Sequence, residues 1–195
     1  MEEKVLKRRL NERGFENLNR FSPSESSLCV YKAFSAESNE NRILKIPSYE
    51  NSDKIMFDKE FFGLKRINGL KGITSLVRGI NLGDIKSSEG KVPNSQNFLP
   101  MVMEKEYAKG NIFRGQYLSA EEEQYVFDVI NEIHDSGFVD LDIKKNNYIH
   151  FPGKGLTFVD IFAGYTKGVE DIFSNAEFEK FKKADLRSVE NMLWS

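Results

Sequence analysis

Residues 140–147 read Asp140-Leu141-Asp142-Ile143-Lys144-Lys145-Asn146-Asn147, and the residues on either side of them decide the fold. Upstream, Ser119 with Glu122 three positions later forms a capping box, in which each side chain satisfies the other's free backbone N–H and starts a helix. Val126, Val129, Ile130 and Ile133 give that helix its apolar stripe, and Gly137 is placed to end it. Downstream, the apolar runs Tyr148–His150 and Leu156–Ile161 flank the turn Pro152-Gly153-Lys154-Gly155. That pattern predicts a hairpin whose second strand runs into Val159-Asp160. An Asp-x-Lys-x-x-Asn string is common in surface loops and carries no chemistry by itself. Its place between a capped helix and a hairpin is what singles it out.

Further out, residues 2–18 (EEKVLKRRLNERGFENL) set Val5, Leu6, Leu10 and Phe15 near helical spacing, which predicts an amino-terminal helix within 1–20. A polar turn at Ser22–Ser27 precedes strand candidates Leu28–Phe34 and Arg42–Ile46, with hairpin material between them. Residues 53–68 read as a helix with Ile55, Met56, Phe61, Phe62, Leu64 and Ile67 on or near one face. Thr74–Leu82 and Asn97–Met103 read as strands around the loop Gly83–Gln96, and Ala176–Trp194 as a closing helix. The expected fold class is α+β, with a small sheet-rich lobe over about 21–104, a helical lobe over about 105–195, and a hinge near Met103–Gly110.

Composition bounds the partners. The chain has 195 residues, 39% hydrophobic and 30% charged, which is an ordinary folded composition. A net charge of -2 argues against nucleic acid as the main partner. Cys29 is alone, so no intramolecular disulfide forms, and a reducing compartment such as the cytoplasm is favoured. No apolar run reaches membrane-spanning length, and residues 1–21 lack the apolar core of a secretory signal. A monomer is expected.

Taken in order, these elements resemble the protein-kinase superfamily. Its catalytic loop reads His-Arg-Asp-Leu-Lys-Pro-x-Asn, on which Asp142, Lys144 and Asn147 fall in register, and Asp160 falls on the Asp of its Asp-Phe-Gly motif. The resemblance implies ATP and Mg²⁺ as cofactors. Asp142 would orient an acceptor hydroxyl and take its proton, Lys144 would meet the moving phosphoryl group, and Asn147 and Asp160 would supply oxygens to the metal. Ile43-Leu44-Lys45-Ile46 resembles the strand whose lysine binds the α- and β-phosphates, with Glu60 as the ion-pair partner of Lys45. Phe98–Glu104 resembles the strand and hinge that receive adenine. There Met103 would stand at the back of the pocket, and the backbone at Glu104 and Glu106 would bind the base. Asp185 resembles the helix Asp that braces the catalytic loop, and a helix N-cap or surface charge is the other reading of it. His134 reads as a packing residue at a helix end and His150 as strand surface.

Departures from the family pattern also carry expectations. Ser22–Leu28 holds no glycine where the phosphate-covering loop should lie, so Ser26 and Ser27 would have to donate hydroxyls, and the grip on ATP would be looser. Asp140 and Leu141 replace the catalytic-loop His and Arg, and Ile161-Phe162 replaces Phe-Gly. No Ala-Pro-Glu follows, and the chain given ends at Ser195, so an uncovered patch around Phe173, Phe178, Phe181 and Trp194 is expected. This short form is similar to minimal Ser/Thr kinase effectors that pathogenic bacteria inject into host cells. It implies entry to the host cytosol by a non-classical route, a host-cell protein as substrate, and a ubiquitin-pathway protein as activating partner. A pseudokinase binding module, and a kinase-fold enzyme that transfers AMP, are the alternatives.

Overall fold

Gly14 stands at φ +82°, a conformation open to glycine at no steric cost, and it turns the chain out of its first helix. The helix is therefore α1, Glu3–Glu12, and the strand β1, Phe15–Arg20, follows it. The single helix expected within 1–20 is thus a helix and a strand. Phe15 kept helical spacing with Leu6 and Leu10, but it lies beyond the break. The structure is a computed structural model that describes residues 3–21, 28–47, 51–82, 101–151, 155–160, 163–166 and 174–194. Ser26, Ser27, Phe98, Ile161, Phe162 and Phe173 lie outside the described residues.

The remaining elements are β2 Leu28–Ser35, β3 Glu40–Pro47, α2 Asn51–Ile67, β4 Leu76–Asn81, β5 Met101–Glu106, β6 Asn111–Ile112, α3 Ala120–Asp135, β7 Phe138–Leu141, β8 Tyr148–Phe151, β9 Gly155–Phe158, β10 Ala163–Thr166 and α4 Asn175–Trp194. The mixed helix and antiparallel-sheet content is that of an α+β chain. Two compact units form, residues 1–58 with 76–107, and residues 59–75 with 108–195. The division after Tyr107 lies three residues beyond the expected lobe boundary, because β5 runs on to Glu106. No described helix is long and apolar enough to cross a membrane.

The first unit is a five-stranded antiparallel sheet in the order β1-β2-β3-β5-β4. Leu6 and Leu10, one helical turn apart on α1, pack with Phe15, Tyr31, Leu44, Ile46 and Val102 to form its core. Strand alternation sends Lys45 to the other face from Leu44 and Ile46. Glu104 pairs with Leu44 in register and is buried. Its carboxylate lies 3.3 Å from Arg42 Nε and accepts from Arg78 Nε at 2.7 Å.

Glu104→Ala removes a buried acceptor, but Arg42 keeps Glu40 and Arg78 keeps Glu37, so neither cation is stranded and the cost should be about 1–2 kcal/mol. Urea unfolding of the variant checks this, and a loss below about 0.5 kcal/mol would show that the clamp does not hold the sheet.

In the second unit, the segment 59–75 is stitched to β9. Phe158 N–H donates to the Gly72 carbonyl at 2.6 Å, and Thr74 N–H donates to the Phe158 carbonyl at 3.0 Å. Gly72 has φ +79°, and a β-carbon there would meet Val129 Cγ2 at 2.5 Å, so no other residue fits. Along α2 the buried positions are Phe57, Glu60, Leu64 and Ile67, while Ile55, Met56 and Phe62 are exposed. The inward stripe is rotated from the one expected, with a glutamate standing in it. The capping box opens α3 as expected, with Ser119 Oγ accepting from Glu122 N–H at 3.3 Å and Glu122 accepting from Ser119 N–H at 3.0 Å. β6-β8-β9 form one small antiparallel sheet, and β10 pairs with β7 in another. Helix α4 packs on α3 and β7 through Asp185, Val189 and Met192. Phe178 and Phe181 are half-buried, and Trp194 is exposed near Phe127, so the expected aromatic patch is only partly open.

Candidate active site

The loop between β7 and β8 is fixed from below by one carboxylate. Asp185, buried on α4, accepts the N–H of Asp140 at 3.0 Å and the N–H of Leu141 at 3.0 Å. His134, whose side chain is fully buried near the end of α3, lies with Nε2 2.9 Å from Asp185 Oδ2. An ionised carboxylate only accepts, so Nε2 carries the proton that it donates. Asp185 is thus the brace of the loop rather than an N-cap or a surface charge, and His134 is the side chain that orients it.

Asp140, directly above, has φ +61°. A non-glycine residue in that region costs roughly 1–3 kcal/mol and persists only where its surroundings hold it, here through its N–H on Asp185. Burial, then the nearby Asp185 charge, raise the pKa of Asp140, and Lys59 partly opposes them. Tyr148 is raised well above the ordinary phenol range, first by burial and then by Asp185.

The three motif residues meet within the loop. Lys144 Nζ lies 2.5 Å from Asp142 Oδ2. Asn147 Nδ2 donates to the Asp142 carbonyl at 2.7 Å and to its Oδ2 at 3.0 Å. Asn147 is buried and opens to solvent less than Asp142, whose side chain is 40% exposed. With its NH₂ turned to Asp142, Asn147 has its amide oxygen as the remaining acceptor. A 3-10 turn at Lys145–Asn147 sets this geometry, closed by Asn147 N–H on the Lys144 carbonyl at 2.9 Å. β8 and β9 then return the chain, and Val159 N–H donates to the Asn147 carbonyl at 2.9 Å. Half-buried Asp160 is the next residue. Asn147 and Asp160 are therefore held on adjacent strand ends.

Among the described residues no group of three or more His, Cys, Asp or Glu comes together as a metal cage. An amide oxygen and a carboxylate make a hard, partial donor set. It suits an ion that keeps water and phosphate in its shell, which is the habit of Mg²⁺.

In the first unit, Lys45 and Met103 are direct cross-strand partners, both buried, with Val30 on the other side of Lys45. Glu104 is paired with Leu44 on β3 and with Arg78 on β4, so its backbone lies inside the sheet rather than at an open edge, and its side chain is on the face opposite Lys45 and Met103. Glu106 ends β5 and is exposed. Lys45 belongs to the first unit and buried Glu60 to the second.

No protein-family model and no curated protein matches the chain.

His134 is buried at the end of α3, as its reading as a packing residue expects. Its bond to Asp185 and the burial of Tyr148 escaped the sequence reading, and only the first left a signal. His134 continues the stripe of Ile130 and Ile133, and a polar residue on a buried face requires a partner. Tyr148 left none: among the described residues its buried hydroxyl has no hydrogen-bond partner. Removing an unsatisfied buried group relieves its desolvation cost, so Tyr148→Phe should leave stability unchanged or raise it by about 1 kcal/mol. A loss above about 1 kcal/mol on thermal unfolding would reveal a partner for that hydroxyl.

Proposed function

We propose that the chain is a minimal, protein-kinase-like phosphotransferase that moves the terminal phosphoryl group of ATP, with Mg²⁺, to Ser or Thr hydroxyls of a protein. The observation that carries this reading is the Asp142 carboxylate, half-open to solvent, gripped by Lys144 and Asn147 on a loop that Asp185 braces from below. Support of this kind suits a reaction in which positioning and charge neutralisation do most of the work. A five-stranded sheet unit followed by a mainly helical one also suits a bilobal kinase-like fold.

In this reading Asp142 accepts the hydrogen of the acceptor hydroxyl and aims its oxygen, while Lys144 holds positive charge beside the point of attack. Asn147 and Asp160 would hold the metal, which supplies neutralisation of phosphate charge when bound. Lys45 would bind phosphates, with Glu60 as its counterion, and Met103 and the β5 backbone would border the base. A host-cell acceptor, and a ubiquitin-pathway protein as activator, rest on the resemblance alone.

Intact-mass measurement of candidate acceptor proteins after incubation with ATP and Mg²⁺ separates this reading from its rivals. Gain of a phosphate supports it. Gain of an adenylate assigns the same site to AMP transfer, and no gain on any acceptor, including the chain itself, leaves a binding module.

A further inference from the structure

We propose that the acceptor segment taken by this site is acidic, carrying Asp, Glu or an already phosphorylated residue near the hydroxyl, and that Lys145 and Arg114 select it. The inference rests on the phosphotransferase reading and names its substrate class. Lys145 opens the 3-10 turn three residues after Asp142. Its side chain runs along Gly115, where a β-carbon would lie 3.1 Å from Lys145 Nζ. The Gly115 loop is fixed at that place by backbone bonds: β6 pairs with β8, and Phe113, fully buried, donates its N–H to the Tyr148 carbonyl at 2.8 Å. Arg114, next to Gly115, is exposed, its backbone N–H on Gln116 Oε1 at 2.7 Å and Gln116 in turn reaching the Ile112 carbonyl.

Besides Lys144, whose charge Asp142 matches, Lys145 lies three residues from Asp142 in the same loop, and Arg114 adjoins the Gly115 backbone against which Lys145 Nζ rests. Among the described residues Lys145 and Arg114 have no carboxylate within ion-pair distance. This local excess sits on a chain with net charge -2, so it is not the overspill of a basic protein. Charge at a rim acts on partner choice more than on bulk affinity, attracting the complementary segment and repelling the like-charged one. Arg114 adds geometry, since its guanidinium fork fits a carboxylate or a phosphate with two bonds. Two uncompensated cations match the one or two acidic positions that flank an acceptor in a peptide.

The full chain is given ATP, Mg²⁺ and three Ser peptides of equal length, with Asp/Glu, neutral or Lys/Arg flanks, and kcat/KM is measured for each. The acidic peptide should exceed the basic one by about tenfold or more at low salt, with the gap shrinking as ionic strength screens the rim. Lys145→Glu with Arg114→Glu should abolish or reverse the preference, read as the ratio of kcat/KM for the acidic and basic peptides within the variant itself, whatever its rate on the neutral peptide. Equal use of acidic and basic peptides, or a preference that survives the double reversal, overturns the inference and leaves phosphotransfer standing. Transfer to no peptide and to no protein, the chain itself included, overturns the reading beneath it.

Discussion

Asp142→Asn should lower phosphoryl transfer by roughly 10²–10⁴, the range by which a positioned proton acceptor accelerates such a step. The amide keeps the size of the carboxylate and can still accept from Asn147 Nδ2, so the loop stays closed. What it loses is the charge that pairs with Lys144 and the basicity that receives the hydroxyl proton. Stability should change by less than about 1 kcal/mol, because the Asp142–Lys144 pair is largely exposed. Retention of more than about a tenth of wild-type activity, a loss of under roughly 1.4 kcal/mol in the barrier, would remove Asp142 from the chemistry.

Asp185→Ala should be the most destabilising single change in the second unit. It strips the acceptor from three donors at once: the His134 imidazole, the Asp140 N–H and the Leu141 N–H. Each buried donor left unsatisfied costs about 1–3 kcal/mol, and the three share one site, so a total of about 3–5 kcal/mol is expected rather than a full sum. Against a typical stability of about 5–15 kcal/mol that is a large fraction, visible as a fall in Tm on the order of 10 °C. Asp185→Asn, which keeps one acceptor oxygen, should fall between. If Asp185→Ala costs under about 1 kcal/mol, the carboxylate is not the brace and the strained Asp140 must be held by something else.

The parts of the site that were legible in the sequence are those the chain brings together over a few residues. Asp142, Lys144 and Asn147 span six positions, and one short turn closes them, so the linear motif already contained their contacts. The capped helix α3 was equally plain because cap, stripe and terminal glycine are all local signals. Asp185 stands 44 residues from Leu141, and only the packing of α4 on β7 decides between brace and surface charge. The Glu104 clamp is of the same kind, with Arg78 26 residues away. β1 was lost for a different reason: the spacing of its Phe15 continued the pattern of α1, and a single glycine at φ +82° outweighed it. The short β7–β10 pair, four residues each, offered too few positions for a period to show.

One comparison bears on the whole account: transfer of label from γ-labelled and from α-labelled ATP to protein, with Mg²⁺, by the wild type and by Asp160→Ala. The account predicts γ-label on Ser or Thr for the wild type and none from α-label. For Asp160→Ala it predicts a loss of at least about a hundredfold, equal to roughly 2.7 kcal/mol of transition-state stabilisation, with the fold retained. Incorporation from α-label, or γ-transfer that Asp160→Ala leaves untouched, would contradict it.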